Sequence, residues 1–541
     1  MDTQLSNQVP PKEDEEIIFR SRFKPVSVPE NVSLPDFVLQ DAELYSNHVA
    51  FVDAMTGKEY TYGQVTRDTK RFARALRSLG LRKGHVVIVV LPNMAEYAIV
   101  ALGIMAAGGV FSGVNPAAHA SEISKQVEAA DAKLIIILGE ERMNGNAGAI
   151  YWEELLQAAD KTNINITCEP IQQADLCALP FSSGTTGISK GVMLTHKNIV
   201  ANLCSTLFSV PPEMIGQVTT LGLMPFFHIY GITGICCATL KNKGKVVVMG
   251  RYELRTFIHA LITYEVTFAP IVPPIILALV KNPIVDEFDL TKLKLRAIMT
   301  AAAPLAPEIL NAFEKKFPGV QVQEAYGLTE HSCITLTHSG PTEEHGGIAK
   351  RNSVGFILPN IEVKFVDPDT GRSLPKNTAG EIFVRSQCVM QGYYKNNEAT
   401  QQTLDKEGWL HTGDIGYIDD DGDIFIVDRI KELIKVKGFQ VAPAELEAIL
   451  LSHPSIEDAA VIPLPDEDAG EIPAACVVIN QNAKENEEDI MKYVASNVAH
   501  YKRVKLVYFM ETIPKSPSGK IMRRLLKDKL MENIKPNIKQ V

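Results

Sequence analysis

Apolar positions along this chain follow two alternating rhythms, and their order predicts its architecture. Residues 62–79 place hydrophobic side chains at helical spacing and stop at Gly80. Residues 85–91 follow as an almost unbroken valine–isoleucine run, the pattern of a parallel strand buried on both faces. Pro92 then opens an apolar helix through residue 107, with Gly108 and Gly109 as its stop. Residues 121–130 predict another helix and 132–138 another strand. Strand and helix in alternation give an α/β sheet with helices on its faces.

The same rhythm returns further on. Residues 196–208 predict a helix and 219–225 a strand, followed by Phe226-Phe227-His228-Ile229-Tyr230-Gly231 and a helix of small residues to position 240. Short strands at 245–249, 266–271 and 296–300 each precede helix-like sequence, and 321–324 leads into Ala325-Tyr326-Gly327-Leu328-Thr329-Glu330. From position 354 strict alternation takes over, with strands at 362–366, 381–384 and 424–427 of a more antiparallel region. A boundary falls near Asp428-Arg429-Ile430-Lys431. Beyond it, helices at 443–451 and 487–498, strands at 459–462, 474–479 and 506–509, and a helix from Lys520 make a separate small α+β domain.

Composition narrows the class. At 541 residues the chain is too long for one core, and 46% hydrophobic with 22% charged residues is ordinary for a soluble globular protein. A net charge of −10 argues against nucleic-acid binding. Residues 513–541 run the other way, with eight Lys/Arg against two acids, which fits either a solvated helix face or a site for an anionic ligand. Eight scattered cysteines without C-x-x-C spacing match a reducing compartment and exclude a zinc site or disulfide framework. Residues 1–16 carry five acids and one lysine, unlike a secretory or transit signal. The apolar run 98–110 is broken by glycine and 268–280 holds three prolines, so neither predicts a membrane span. Lys539-Gln540-Val541 is not a peroxisomal tripeptide, and a cytoplasmic location is expected.

The densest chemistry lies in Phe181-Ser182-Ser183-Gly184-Thr185-Thr186-Gly187-Ile188-Ser189-Lys190-Gly191. Its glycines let backbone N–H groups turn toward one point, its hydroxyls donate there too, and Lys190 adds a cation. The stretch reads as a cradle for phosphate oxygens. A Walker loop needs Ser or Thr after its lysine, and here Gly191 follows. A flexible Ser/Gly linker would not run straight into strand-like apolar segments on both sides. Thr329-Glu330 offers either a carboxylate for Mg2+ or a helix N-cap pair. Asp414, in a Gly-rich turn, is either an acceptor for two ribose hydroxyls or a turn aspartate. Asp419-Asp420-Asp421-Gly422-Asp423 looks like a calcium loop, but Tyr417 as first ligand and Asp428 as twelfth do not fit, and a hairpin turn is predicted.

Residues 182–190, 326–330, 411–414, 428–438, 442–445 and 514–520 stand in the order found in the acyl-adenylate-forming ligases, and the chain resembles that family over nearly its whole length. It is most similar to the plant 4-coumarate–CoA ligase-like proteins. Among them it resembles the fatty acyl-CoA synthetases of pollen-wall (sporopollenin) precursors more than the phenylpropanoid enzymes. The resemblance implies two steps: carboxylate and ATP give acyl-AMP and pyrophosphate, then CoA displaces AMP to leave a thioester. It implies a large domain, residues 1–428, of two α/β sheets and a distorted barrel-like region, a hinge at 429–431 and a mobile α+β domain at 432–541.

The same resemblance assigns roles. Ser182, Ser183, Gly184, Thr185, Thr186 and Lys190 hold pyrophosphate, and Glu330, after Thr329, binds Mg2+. Asp414 and Arg429 take ribose or phosphate, Gln440 contacts the adenylate or orients its loop, and Lys431 is the pivot. Lys520 stabilises the transition state at the α-phosphate, and Lys435 belongs to the thioester-forming orientation. Arg251, Lys437 and Gly438 contact CoA. His228, otherwise a core histidine, gates the acyl pocket or steers the carboxylate beside Tyr230. Thr233, Ala302, Ala303, Glu324, Ala325, Tyr326, Gly327, Cys333 and Ile334 line that pocket. The expected partners are a carboxylic acid, ATP and CoA, together with enzymes that consume the acyl-CoA, and peripheral attachment to the endoplasmic reticulum is compatible with this.

The acyl pocket departs from the coumarate pattern. Thr300-Ala301-Ala302-Ala303-Pro304-Leu305-Ala306 replaces a Ser-Gly-rich stretch, Thr233 replaces an asparagine, and Arg251 stands where many have lysine. Glu324-Ala325 replaces Gln-Gly, and Cys333 and Thr335 replace a proline and a leucine. The Ala325 methyl would press on a planar ring, a strain of about 1–3 kcal/mol. A medium- or long-chain fatty acid, with or without a hydroxyl group, is therefore preferred over 4-coumarate. An oxygenase that oxidises the acyl-AMP, as luciferases on this scaffold do, is the alternative of another class. A helix that family members carry between two strands is missing between Ile135 and Ile136, which predicts fused strand ends and an exposed sheet edge.

Overall fold

The computed structural model describes residues 16–138, 149–161, 169–182, 189–208, 210, 212–301, 307–337, 349–437, 439–466, 468–480, 483–516 and 519–534. Their strands form four sheets. In the first, Leu176–Ala178, Val110–Gly113, Val86–Val90, Leu134–Ile137 and Ala149–Tyr151 run parallel, side by side. Val87 and Val89 enter one core with Phe72 and Ile99, while Val86, Ile88 and Val90 enter another with Ile123. Burial on both faces is why this strand lacks polar alternation. Lys190–Thr195 continues the sheet antiparallel, pairing with Leu176–Ala178, Gly392–Tyr393 and Phe181–Ser182.

The second sheet has the parallel order Val49–Asp53, Lys245–Val248, Thr219–Gly222, Phe268–Pro270, Ala297–Thr300 and Gln321–Leu328. Its last strand returns as the hairpin partner Ser332–Leu336. The third is antiparallel, in the order Phe19–Arg20, Glu362–Val366, Gly380–Arg385, Leu410–Ile418 and Ile424–Arg429. The fourth gathers Phe439–Val441, Ile434–Val436, Gly470–Ile479 and Ile456–Asp466, with Leu506–Phe509 parallel to Gly470–Ile479. Helices Pro443–Ser452 and Glu487–Asn497 pack on it around Leu446, Leu450, Ile490 and Val494. The mixed α/β class with a small final α+β unit matches the expectation. Among the described residues no helix is long and apolar enough to cross a membrane.

Four local expectations change. The helix foreseen from Pro92 begins at Tyr97, because Asn93 is committed elsewhere. Its Nδ2 donates to the carbonyls of Leu223 (3.0 Å) and Met224 (2.9 Å), and its Oδ1 accepts from Phe226 N at 2.8 Å, stitching the first sheet to the second. The strand expected to end at 324 continues through Leu328, so Thr329 and Glu330 lie in a hairpin turn and not at a helix N-cap. Asp414 lies within Leu410–Ile418, opposite Arg429, not in a free turn. Leu134–Ile137 is one strand, but Ala149–Tyr151 pairs along its outer side, so the foreseen exposed edge is covered. The 419–423 hairpin turn is present, closed by Asp421 N and Asp423 N donating to Asp419 Oδ1.

Asn93→Ala removes a half-buried donor and acceptor and strands its backbone partners at Gly222, Leu223, Met224 and Phe226. Urea denaturation should show a loss of roughly 1–3 kcal/mol; an unchanged midpoint would mean the stitch carries no stability.

Candidate active site

Three sheets meet around one hairpin. Gln321–Leu328 and Ser332–Leu336 are joined so tightly that a Cβ on Gly327 would stand 2.2 Å from the Ser332 carbonyl oxygen, and only glycine fits there. Glu330, in the turn, is buried. Its Oε1 accepts from Ser182 Oγ at 3.0 Å and from Tyr393 Oη at 2.9 Å. The next residue, His331, is fully buried with Nε2 2.7 Å from Ser386 Oγ; burial lowers its imidazole to about 3, so it anchors the turn as a neutral ring. Ser182 and Lys190 are Cα partners, so the two ends of the phosphate stretch meet; Ser183, Gly184, Thr185 and Thr186 lie outside the described residues. The Lys190 ammonium stands 4.9 Å from the Tyr393 ring centroid, which places cation, carboxylate and hydroxyl together.

The strand that leads into the turn reaches the ribose candidate through Tyr326. Tyr326 Oη donates to Asp414 Oδ2 at 2.7 Å, and Arg429 Nε donates to Oδ1 at 3.1 Å. Burial, with the Asp414 carboxylate beside it, pushes the Tyr326 phenol well above its ordinary value, so it remains a donor. Gly413 takes φ +73° just before Asp414, and its N–H donates to Glu381 Oε1 at 3.1 Å. Glu330 fits a magnesium ion as a buried anionic oxygen ligand. Among the described residues no cluster of three or more His, Cys, Asp or Glu could cage a metal, and magnesium held by one carboxylate and phosphate oxygens needs none.

The acyl-pocket candidates divide. His228 is exposed, yet desolvation in its recess holds the imidazole below its ordinary value, and its Nδ1 accepts from Tyr230 N at 3.3 Å. Tyr230 Oη is buried without a hydrogen-bond partner among the described residues. Thr233 turns its hydroxyl to the Ile229 carbonyl at 2.7 Å inside the π-helical turn Gly231–Cys237, so that hydroxyl is already used. Cys333 Sγ reaches Thr335 O at 3.3 Å, and burial pushes its thiol up to about 12. Ile334 points into the core with Ile357 and Val363 and backs the wall instead of lining it. Ala325 is half-buried opposite Leu336. Glu324 is the Cα partner of Thr300; burial raises its carboxyl to about 7. Ala302 and Ala303 lie outside the described residues.

Of the small-unit candidates, Lys520 belongs to a tight hairpin in which Lys515 bridges Ile521. A Cβ on Gly519 would stand 3.1 Å from Val272 Cβ, so this hairpin rests on the large unit at the start of helix Pro273–Lys281. Lys435 and Gln440 face each other across the 434–441 hairpin and are exposed, as are Lys431 and Lys437; Gly438 lies outside the described residues. Arg251 is exposed between Lys245–Val248 and Leu254–Thr263. The structure thus brings together Ser182, Lys190, Glu330, Tyr326, Asp414 and Arg429 and leaves the two described CoA candidates, Arg251 and Lys437, in solvent. Tyr393, Glu381 and His331 went unpredicted as site residues. His331 could have been suspected as the neighbour of Glu330, whereas Tyr393 and Glu381 carry no spacing signal.

Two carboxylates, Asp414 and Glu330, and the Lys190 ammonium thus stand around one junction of three sheets, a donor set that suits a nucleotide with its metal ion. The chain matches the AMP-binding enzyme family over residues 38–394 and the AMP-binding enzyme C-terminal domain over residues 445–520. It is 70% identical to 4-coumarate–CoA ligase-like 1 of Arabidopsis thaliana over 537 residues, covering 96% of this chain and 98% of that protein. It is 62% identical to 4-coumarate–CoA ligase-like 9 of Oryza sativa subsp. japonica, covering 99% of this chain and 100% of that one. ATP-bound MatB of Rhodopseudomonas palustris superposes with a TM-score of 0.83 at 25% identity, covering 92% of this chain and 99% of that one. The chain belongs to the AMP-binding enzymes, in their 4-coumarate–CoA ligase-like branch. It is an AMP-forming acid–CoA ligase whose cofactors are ATP and Mg2+ and whose thiol substrate is CoA.

Glu324→Gln tests the raised carboxyl. With its value moved from 4.5 to about 7, the folded state binds more protons than the unfolded state between these limits, so Glu324 costs stability as pH rises through them. The glutamine variant should melt higher than wild type at pH 8, with the gap closing toward pH 5. A gap that is constant or reversed would contradict a buried, neutral carboxyl.

Proposed function

We propose that the chain activates a medium- or long-chain fatty acid, preferably hydroxylated, as its acyl-AMP and transfers the acyl group to CoA. The observation that carries the reading is the 321–336 hairpin, which engages Asp414 through Tyr326 before its turn and Ser182 through Glu330 within the turn. Ribose hydroxyls would donate to Asp414, and phosphate oxygens would lie near Lys190 and Ser182. Glu330 would hold Mg2+, which supplies charge neutralisation on the phosphates. Catalysis of this type rests on positioning and on charge placed where anionic charge develops. Lys520 supplies that charge at the α-phosphate from a hairpin seated on Val272, and the small unit then pivots about Lys431 to present Lys435, Lys437 and Gln440. The solvent exposure of those three in the present orientation supports two orientations.

For the substrate, the Ala325 methyl disfavours a flat ring. The Tyr230 hydroxyl, buried and without a partner among the described residues, favours an acyl chain that carries a polar group. The names of the relatives point instead to hydroxycinnamates. Parallel assays of CoA-dependent AMP release with hydroxylauric acid and 4-coumarate should favour the fatty acid, and a higher kcat/KM for coumarate would overturn the substrate reading. Lys520→Ala should lower ATP–pyrophosphate exchange by roughly 10²–10³-fold while supplied acyl-AMP is still converted to thioester. Equal loss of both half-reactions would contradict the division of labour.

A further inference from the structure

The small unit is tied to the large one around residue 430 by a partly buried chain of hydrogen bonds and ion pairs. Asp428, on Ile424–Arg429, is 8% exposed. Its Oδ1 accepts from Arg429 N at 2.7 Å and its Oδ2 accepts from Ala444 N at 3.0 Å. Ala444 is in the first turn of helix Pro443–Ser452, whose own N-cap residue, Ala442, makes no side-chain hydrogen bond. The first N–H groups of a helix need outside acceptors, and a carboxylate there also meets the positive end of the helix dipole. Here the acceptor comes from another sheet, on the far side of the proposed pivot.

The connection continues to the lysine hairpin. Arg429, which holds Asp414, lies 3.8 Å from Glu432 through Nη1. Glu432 also pairs with Arg523, and Arg523 Nη2 donates to both oxygens of Glu447 at 2.7 Å. Arg523 opens helix Arg523–Ile534, three residues after Lys520. A second strut, Lys281 Nζ donating to the Ile456 carbonyl at 3.2 Å, crosses between the units nearby.

We propose that Asp428 is a positioning residue, holding the small unit in the orientation that presents Lys520 for adenylation by capping helix Pro443–Ser452 from the large unit. The proposal rests on the two-orientation reading given above. A pivot at Lys431 leaves Asp428 behind and carries Ala444 away, so the cap belongs to one orientation and is broken in the other.

Asp428→Ala removes both acceptor oxygens, whereas Asp428→Asn keeps one, which can still accept from Ala444 N while the Arg429 amide gives up its side-chain partner. In the alanine variant, ATP–pyrophosphate exchange should fall roughly five- to tenfold, the size of a lost cap. Conversion of supplied acyl-AMP should be undiminished, and the asparagine variant should recover most of the exchange. Without any ligand, trypsin should cut after the exposed Lys431 several-fold faster in the alanine variant than in wild type or the asparagine variant. Equal loss of both half-reactions, an asparagine variant as slow as alanine, or unchanged proteolysis would overturn the proposal. Absence of exchange in wild type would instead sink the ligase reading, and the proteolysis comparison separates the two failures.

Discussion

The Asp414 carboxylate is shared by a phenol from one sheet and a guanidinium from the neighbouring strand of its own sheet. The rest of the site depends on that sharing. Removing a carboxylate from water is costly, and charge-assisted hydrogen bonds on both oxygens are what make it tolerable. The second and third sheets have separate cores, around Phe257 and Phe313 in one and Phe365 and Val384 in the other. The Tyr326–Asp414 bond fixes their relation where a nucleotide would lie. Glu330 does the same in the turn of the hairpin, joining the second sheet to the first through Ser182 and Tyr393.

This economy explains the irregularities of the hairpin. Gly327 admits the close return of the chain, and the neutral His331 pins the turn from behind. Gly413 bends the strand so that Asp414 turns inward while Glu381 takes up its amide. None of these side chains does chemistry, yet each sets where a chemical group stands. The small unit follows the same logic: Arg429 and Glu432 link the ribose candidate to Arg523, and through it to the hairpin that bears Lys520.

Much of the fold was legible in the sequence because burial on two faces leaves unbroken apolar runs, as at Val86–Val90, and burial on one face leaves alternation, as at Glu362–Val366. Elements whose side chains serve other elements misled. Asn93 reads as the opening turn of a helix but is spent on the second sheet. The glycine before Asp414 suggests a turn, although strand pairing on both sides overrides that local preference. Motif order singles out Ser182, Lys190, Glu330, Asp414 and Arg429, and the fold brings these residues to one junction. Tyr393 was invisible because only the pairing of Gly392–Tyr393 with Lys190–Thr195 brings it to Glu330. Sequence does not say which way a side chain turns: the Thr233 hydroxyl bonds to the Ile229 carbonyl, and Ile334 packs with Ile357 and Val363.

The account stands on Asp414 as the acceptor of ribose hydroxyls. Calorimetric titration of the wild-type protein with ATP and with 2′,3′-dideoxy-ATP tests this directly. A buried carboxylate that loses two charge-assisted hydrogen bonds should weaken binding of the dideoxy nucleotide by about tenfold or more. Equal affinity for the two nucleotides would contradict it.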